Sequence, residues 1–255
     1  MANKNSRIKN ALLASLTGVG EQLASYVGAF IFRTVFLYVL NANYLGISAL
    51  FTNILQVFSL TELGIGSVIA FNMYKPIKEC DDEECAKLLN FYKSVYRAIA
   101  LITLLLGACF FPFIDSVIAD PGNIPDDVNL SVIYWLFVFQ SVTSYLCVYR
   151  QSLLNADQKG YVISAANSIY NICLNVIKII LLIATANYTF VLAAGIIISL
   201  LYNFGLSCYS ARQYPDIIAF RDARLSNANK IRIFKETGAL MCHKIGGVVL
   251  NSTDS

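Results

Sequence analysis

Five charged side chains fall inside or beside long apolar runs of this sequence: Glu21, Arg33, Glu62, Lys178 and Lys244. A charge at the centre of a membrane helix costs about 2.5–3.5 kcal/mol on insertion scales, so such residues usually face a cavity, a partner or the interface. Lys178 does not stand alone. Asn167, Asn171, Asn175 and Lys178 recur at i, i+4, i+8 and i+11, which is one face of one helix, and Ser164 extends the stripe. Amides and an ammonium in that pattern read as a wet surface that can hydrogen-bond hydroxyls and attract an anion. Fainter stripes run through Gln140, Ser144 and Gln151 and through Ser199, Asn203 and Ser207. These suit a lumen or bonds between helices equally well. Structural alternatives stand beside the charges too. Glu21 and Glu62 can pair with one another or with backbone, and Arg33 can snorkel to the surface.

The same inventory gives no enzyme constellation. His243 is the only histidine, which argues against Ser-His-Asp triads and His-based metal clusters within the chain. No Walker A sequence is present. Cys80 and Cys85 flank Asp81–Glu84 with no His nearby and do not complete a zinc site. Cys109, Cys147, Cys173, Cys208 and Cys242 lie in or beside apolar runs, where a free thiol behaves as a small apolar group. We expect no catalytic residue, cofactor, metal or nucleic-acid partner.

The elements that must position these residues follow from composition. The 255 residues are 57% hydrophobic and only 14% charged, with mean hydropathy +0.60. A soluble domain carries about 25% charged residues. Runs of ~20 apolar residues match the ~30 Å bilayer core, because a helix rises ~1.5 Å per residue. Six complete spans are predicted: about Ala11–Leu40, Tyr44–Met73, Tyr96–Ile118, Leu130–Tyr149, Tyr161–Thr185 and Phe190–Ser210. A seventh begins near Gly238 and stops at Ser255. The expected fold is an all-α integral membrane protein, a six-helix transmembrane bundle over residues 1–236 with the start of a seventh helix over 237–255. The first apolar run is about 30 residues long, against ~7–15 for a signal sequence, and reads as a retained helix.

Charge sets the orientation. Sixteen of the nineteen Lys and Arg residues lie in the N-terminal segment and in the 75–97, 150–159 and 212–235 connections, all on one side. The opposite connections, 41–43, 119–129 and 186–189, contain none. The positive-inside rule then puts the N-terminus in the cytoplasm of a multi-pass cell-membrane protein. With that orientation Arg33 sits roughly 10 Å from the outer end of its span at ~1.5 Å per residue, and Lys178 also belongs to the outer half. Glu21 and Glu62 fall toward the inner half, and Lys244 enters from the cytoplasmic side. Between the second and third spans, Asp81–Arg97 carries apolar residues at helical spacing. It reads either as an interfacial helix leading into the third span or as a solvated connector.

One stretch, Leu60–Phe71 (LTELGIGSVIAF), combines Glu62 with Gly64 and Gly66. Glycine lowers helix stability by about 1 kcal/mol relative to Ala and permits close packing or bending. Glu62 would meet a head group entering from the inner side, or simply be an acid satisfied locally at a packing kink.

The segment Phe32–Ile77 resembles the oligosaccharide flippases of polysaccharide biosynthesis, of the multidrug/oligosaccharidyl-lipid/polysaccharide exporter superfamily. The resemblance is carried by Arg33, Tyr44-Leu45-Gly46, Leu50-Phe51, Leu60, Leu63-Gly64-Ile65-Gly66 and the Tyr74-Lys75-Pro76 exit. The tail His243–Ser255 is similar to the opening of the family's seventh helix. The resemblance implies two six-helix bundles facing one another across a cavity. It also implies export, by flipping, of an undecaprenyl-pyrophosphate-linked oligosaccharide through membrane lipid, with a missing C-terminal half as partner. Substrate-path candidates are then Arg33, Lys178, Asn167, Asn171, Asn175, Glu62, Glu21 and Lys244. The alternatives are a drug/cation antiporter of the same superfamily, which predicts a carboxylate-dominated lumen, a glycan polymerase or ligase, and a non-functional truncated remnant. The longest outer connection, about eleven residues, disfavours the polymerase or ligase.

Overall fold

The computed structural model describes residues 4–59, 65–114, 125 and 129–238, and these contain helices and no strand. The chain runs through α1 (Lys4–Leu40), α2 (Ala42–Ser59), α3 (Ile65–Glu79), α4 (Asp82–Phe110), α5 (Leu130–Val148), α6 (Gln151–Ala156), α7 (Gly160–Thr185), α8 (Tyr188–Gln213) and α9 (Pro215–Ala219). A further helix, α10, covers 227–238. Five of them are long and apolar enough to cross a membrane, at Leu12–Leu40, Asp82–Phe113, Leu130–Val148, Gly160–Thr185 and Tyr188–Gln213, as a multi-pass membrane protein requires. The second expected span, Tyr44–Met73, falls on two helices, α2 and α3; residues 60–64 between them, Glu62 included, lie outside the described residues. So do 239–255, which hold Lys244 and the expected seventh helix.

Local chemistry explains several boundaries. The side chains of Asp81, Asn129 and Asn187 accept hydrogen bonds from the backbone N–H of Glu84, Val132 and Phe190 at 3.0, 3.2 and 3.0 Å. Each satisfies one orphan donor at a helix start. At the end of α1, Asn41 takes the left-handed conformation (φ 85°) and its side chain accepts from the Asn43 N–H at 2.9 Å, which turns the chain into α2 in one residue.

The expected amphipathic stretch before the third span is the first part of α4 itself. Cys85, Ala86, Leu88, Leu89 and Tyr92 are buried along one face and pack into a cluster with Val68, Ile69 and Met73 of α3 and with Ile217, Leu225 and Ile233. The connector is therefore structured and continuous with the long helix. The 212–235 connection closes over the same end, so the basic end of the molecule has its own packed core. The charge-poor end is packed separately, by Phe36, Leu40, Tyr44, Phe51, Tyr134, Leu182 and Tyr188. Rings dominate there: Tyr188 meets Phe36 and Tyr44 edge-on at 5.3 and 6.0 Å.

Close approaches between helices occur at glycines. A Cβ on Gly66 would lie 2.9 Å from the Tyr92 hydroxyl, so this glycine of the Leu60–Phe71 stretch lets α3 pack on α4. On α4, Gly107 meets α5: its carbonyl accepts from the Tyr134 hydroxyl at 2.6 Å, and an added Cβ would lie 2.9 Å from Val138 Cγ1. Val138 is fully buried and, being β-branched, is stiff. Gly107→Val should thus force α4 and α5 apart and destabilise the fold by about 1–3 kcal/mol, read as a lower thermal midpoint of the purified protein. An unchanged midpoint would refute this packing.

Candidate functional site

The polar stripe predicted on the fifth span exists on α7, and the structure shows what covers it. Among the described residues, α1 packs along α7 more extensively than any other pair of helices. Three pairings run in rising order along both: Glu21 with Asn167, Gly28 with Asn175 and Phe32 with Lys178. The two helices are therefore parallel. α8 runs antiparallel to α7, since Tyr202 bonds Asn167 while Gly195, seven residues earlier, lies against Lys178.

At the end of this seam nearer the N-terminus, Asn167 Nδ2 donates to Glu21 Oε1 at 2.9 Å. Its own Oδ1 accepts from the Tyr202 hydroxyl. Tyr202 stacks on Tyr170, with ring centroids 4.3 Å apart and planes at 21°. One amide thus links three helices, and the carboxylate inside a membrane-length helix has a partner. This is the hydrogen-bonded alternative for Glu21, and among the described residues Asn167 is the group that meets it.

Further along, Asn175 Nδ2 donates to the Asn171 carbonyl at 2.8 Å. A Cβ on Gly28 would lie 2.6 Å from that same Nδ2, so a larger residue there would require the amide to shift. Asn175 also lines a groove of about 430 Å³ between α1 and α7, whose other walls are apolar, among them Leu23, Val27, Ile31, Ile172, Val176 and Ile179.

One turn on stands Lys178. Its Nζ lies 5.6 Å from the centroid of the Phe32 ring, a cation–π contact. An added Cβ at Gly195 would come within 2.7 Å of its Cε. Lys178 is half-buried and makes no ion pair among the described residues. Arg33, the neighbour of Phe32, is exposed instead, on a face that also shows Phe30 and Leu37. The structure therefore brings Glu21 and Asn167 together, and lines Asn171, Asn175 and Lys178 along one seam. It does not put Arg33 in that seam.

The fainter stripes resolve into local and interhelical bonds. Asn203 Nδ2 donates to the Ser199 carbonyl at 3.0 Å within α8, and Ser144 Oγ to the Ser141 carbonyl at 2.7 Å within α5. Ser207 Oγ accepts from Arg150 at 3.2 Å and so ties α8 to the end of α5. Nearby, the Tyr214 hydroxyl donates to Asp157 Oδ2 at 2.8 Å, and Lys159 pairs with the same carboxylate at 2.8 Å. Burial, and then the acceptor Asp157, push the Tyr214 phenol well above its ordinary range. Among the described residues no group of three or more His, Cys, Asp or Glu is placed to hold a metal.

Sequence reasoning did not single out Tyr202, Phe32, Gly28 or Gly195 as parts of this site. The glycines carried a usable signal, being small residues inside apolar helices where a neighbour approaches closely. Tyr202 carried none, since a tyrosine in an apolar run is ordinary. No family model, curated protein or solved structure matches the chain.

Proposed function

We propose that this protein exports lipid-linked oligosaccharide by moving the repeat unit across the cell membrane, as one six-helix bundle of a two-bundle transporter. The observation that carries the reading is Lys178. It is a cation in a membrane-length helix, without an ion pair among the described residues, set beside a stripe of amides and one turn from an apolar groove. That arrangement suits an amphipathic anion. The groove takes apolar chain, the amides take sugar hydroxyls, and the ammonium takes the pyrophosphate that joins them. The resemblance of Phe32–Ile77 to the flippases supports the same substrate class and supplies the second bundle as partner.

The test is transport of an undecaprenyl-pyrophosphate-linked oligosaccharide into reconstituted vesicles, with the second bundle co-expressed. Outward delivery of the oligosaccharide is expected, and its absence under conditions where both proteins are folded would overturn the reading. One observation favours a drug/cation antiporter as the second reading: Glu21 is a carboxylate within a span, held by a neutral amide. That reading requires efflux of a cationic dye, lost in Glu21→Gln.

In the proposed orientation the N-terminus and the basic end are cytoplasmic. With Cys109→Ser in the background, Thr185→Cys at the exposed last residue of α7 should react with an impermeant thiol reagent added to intact cells. Cys80, exposed at the opposite end, should react only after the cells are opened. Labelling of Cys80 in intact cells would reverse the topology.

A further inference from the structure

Four cations gather at the basic end with no ion pair among the described residues. Lys93 on α4 lies close enough to Arg97, Arg150 and Arg221 to be coupled to all three like charges. Lys93 Nζ and the Arg150 guanidinium both approach the Tyr149 ring, at 6.0 and 5.6 Å from its centroid. None of the four makes an ion pair among the described residues, although Lys87, Lys159 and Arg232 nearby in sequence all do. Asp222 is exposed beside Arg221 and pairs with none of them.

Neutral groups hold the cluster in place. Arg150 donates to Ser207 at 3.2 Å. The Asn90 amide lies 3.0, 3.2 and 3.0 Å from the carbonyls of Phe220, Arg221 and Ala223, which fixes the turn that carries Arg221 against α4. Like charges held together this way raise one another's free energy, and a docked anion relieves it. Lys93 and Arg150 are half-buried while Arg97 and Arg221 are exposed, so the cluster opens to an incoming group.

We propose that Lys93, Arg97, Arg150 and Arg221 form a binding site for a phosphate group, the head group of an anionic membrane lipid. The depth favours that source. Arg150 follows the apolar run Leu130–Val148 by two residues, and exposed Leu146 and Phe220 flank the cluster, so the phosphate would sit where the apolar surface ends. Guanidinium and ammonium groups are suited to such phosphates. This site is separate from the α1–α7 seam and does not depend on the transport reading.

The full-length protein, stripped of lipid in detergent, is titrated with phosphatidylglycerol, with phosphatidylcholine and, in a separate arm, with inorganic pyrophosphate; retained ligand and thermal midpoint are followed. Phosphatidylglycerol should bind at least about ten-fold more tightly than phosphatidylcholine, and Lys93→Gln combined with Arg221→Gln should remove about that factor. The pair Arg232→Gln with Lys235→Gln removes equal charge from α10 and should change affinity less than about two-fold, because neither side chain is among the like charges that act on Lys93. Lys93→Arg should retain binding. Asn90→Ala should weaken binding in the parent but not where Arg221→Gln is already present, which separates positioning of Arg221 from a general loss of fold. Response to the lipid alone assigns the head group. An equal response to pyrophosphate, lost in the same variants, keeps the phosphate site and assigns a soluble phosphate compound. If the two lipids bind equally and pyrophosphate has no effect, or if the α10 pair loses as much as the site pair, the proposal fails.

Discussion

Lys178→Ala is expected to lower the proposed export by about 10- to 100-fold, the loss that corresponds to one hydrogen bond to a charged group. Lys178→Arg should keep part of the activity. It retains the charge, but the space against Phe32 and Gly195 is fitted to a slimmer side chain. Stability should move the other way. A half-buried ammonium without an ion pair among the described residues is a net burden in a membrane-length helix, so Lys178→Met should raise the thermal midpoint while export falls. A residue kept at the expense of stability is one kept for its chemistry. Loss of both properties in Lys178→Met would make it a packing residue, and full export by Lys178→Ala would remove it from the mechanism.

Asn167→Leu is expected to give the largest loss of stability. Asn167 is the shared partner of Glu21 and Tyr202. Removing it leaves a carboxylate without that amide and a hydroxyl with nothing in its place, on two helices at once. The expected destabilisation is about 2–3 kcal/mol, measured by thermal or denaturant unfolding. Removing an acceptor and its donor together is far milder than removing one. Glu21→Leu added to Asn167→Leu should therefore recover most of the loss. If the double variant is no better than the single, the Glu21–Asn167 bond is not what holds the seam.

Much of the layout could be read along the chain. The 3.6-residue period put Asn167, Asn171, Asn175 and Lys178 on one face, and the structure keeps them there because side-chain spacing on a helix is a local property. The long apolar runs likewise marked α1, α4, α5, α7 and α8. What covers the stripe was not legible, since Glu21 and Asn167 are 146 residues apart and nothing local says which helix α1 will choose. Arg33 shows the same limit. Its depth followed from counting residues, but Phe32 turns inward to Lys178, and the adjacent position, about 100° around the helix, turns out. The Asp81–Arg97 stretch was ambiguous because part of what buries its apolar face, Ile217, Leu225 and Ile233, lies far along the chain.

The parallel pairing of α1 with α7 has a consequence for how the protein is made. Two parallel helices cannot be a hairpin, so α1 enters the bilayer long before its principal neighbour exists. The ribosome must add 146 residues between Glu21 and Asn167, which at about 5–20 residues per second takes roughly 7–30 s. Throughout that interval the Glu21 carboxylate lacks its amide, and the first helix depends on the insertion machinery, water at the interface or a temporary protein contact to stay in register. The slow step in maturation of this protein is thus expected to be the homecoming of its oldest helix, and a chaperone of membrane insertion would act by shielding one acid until α7 arrives.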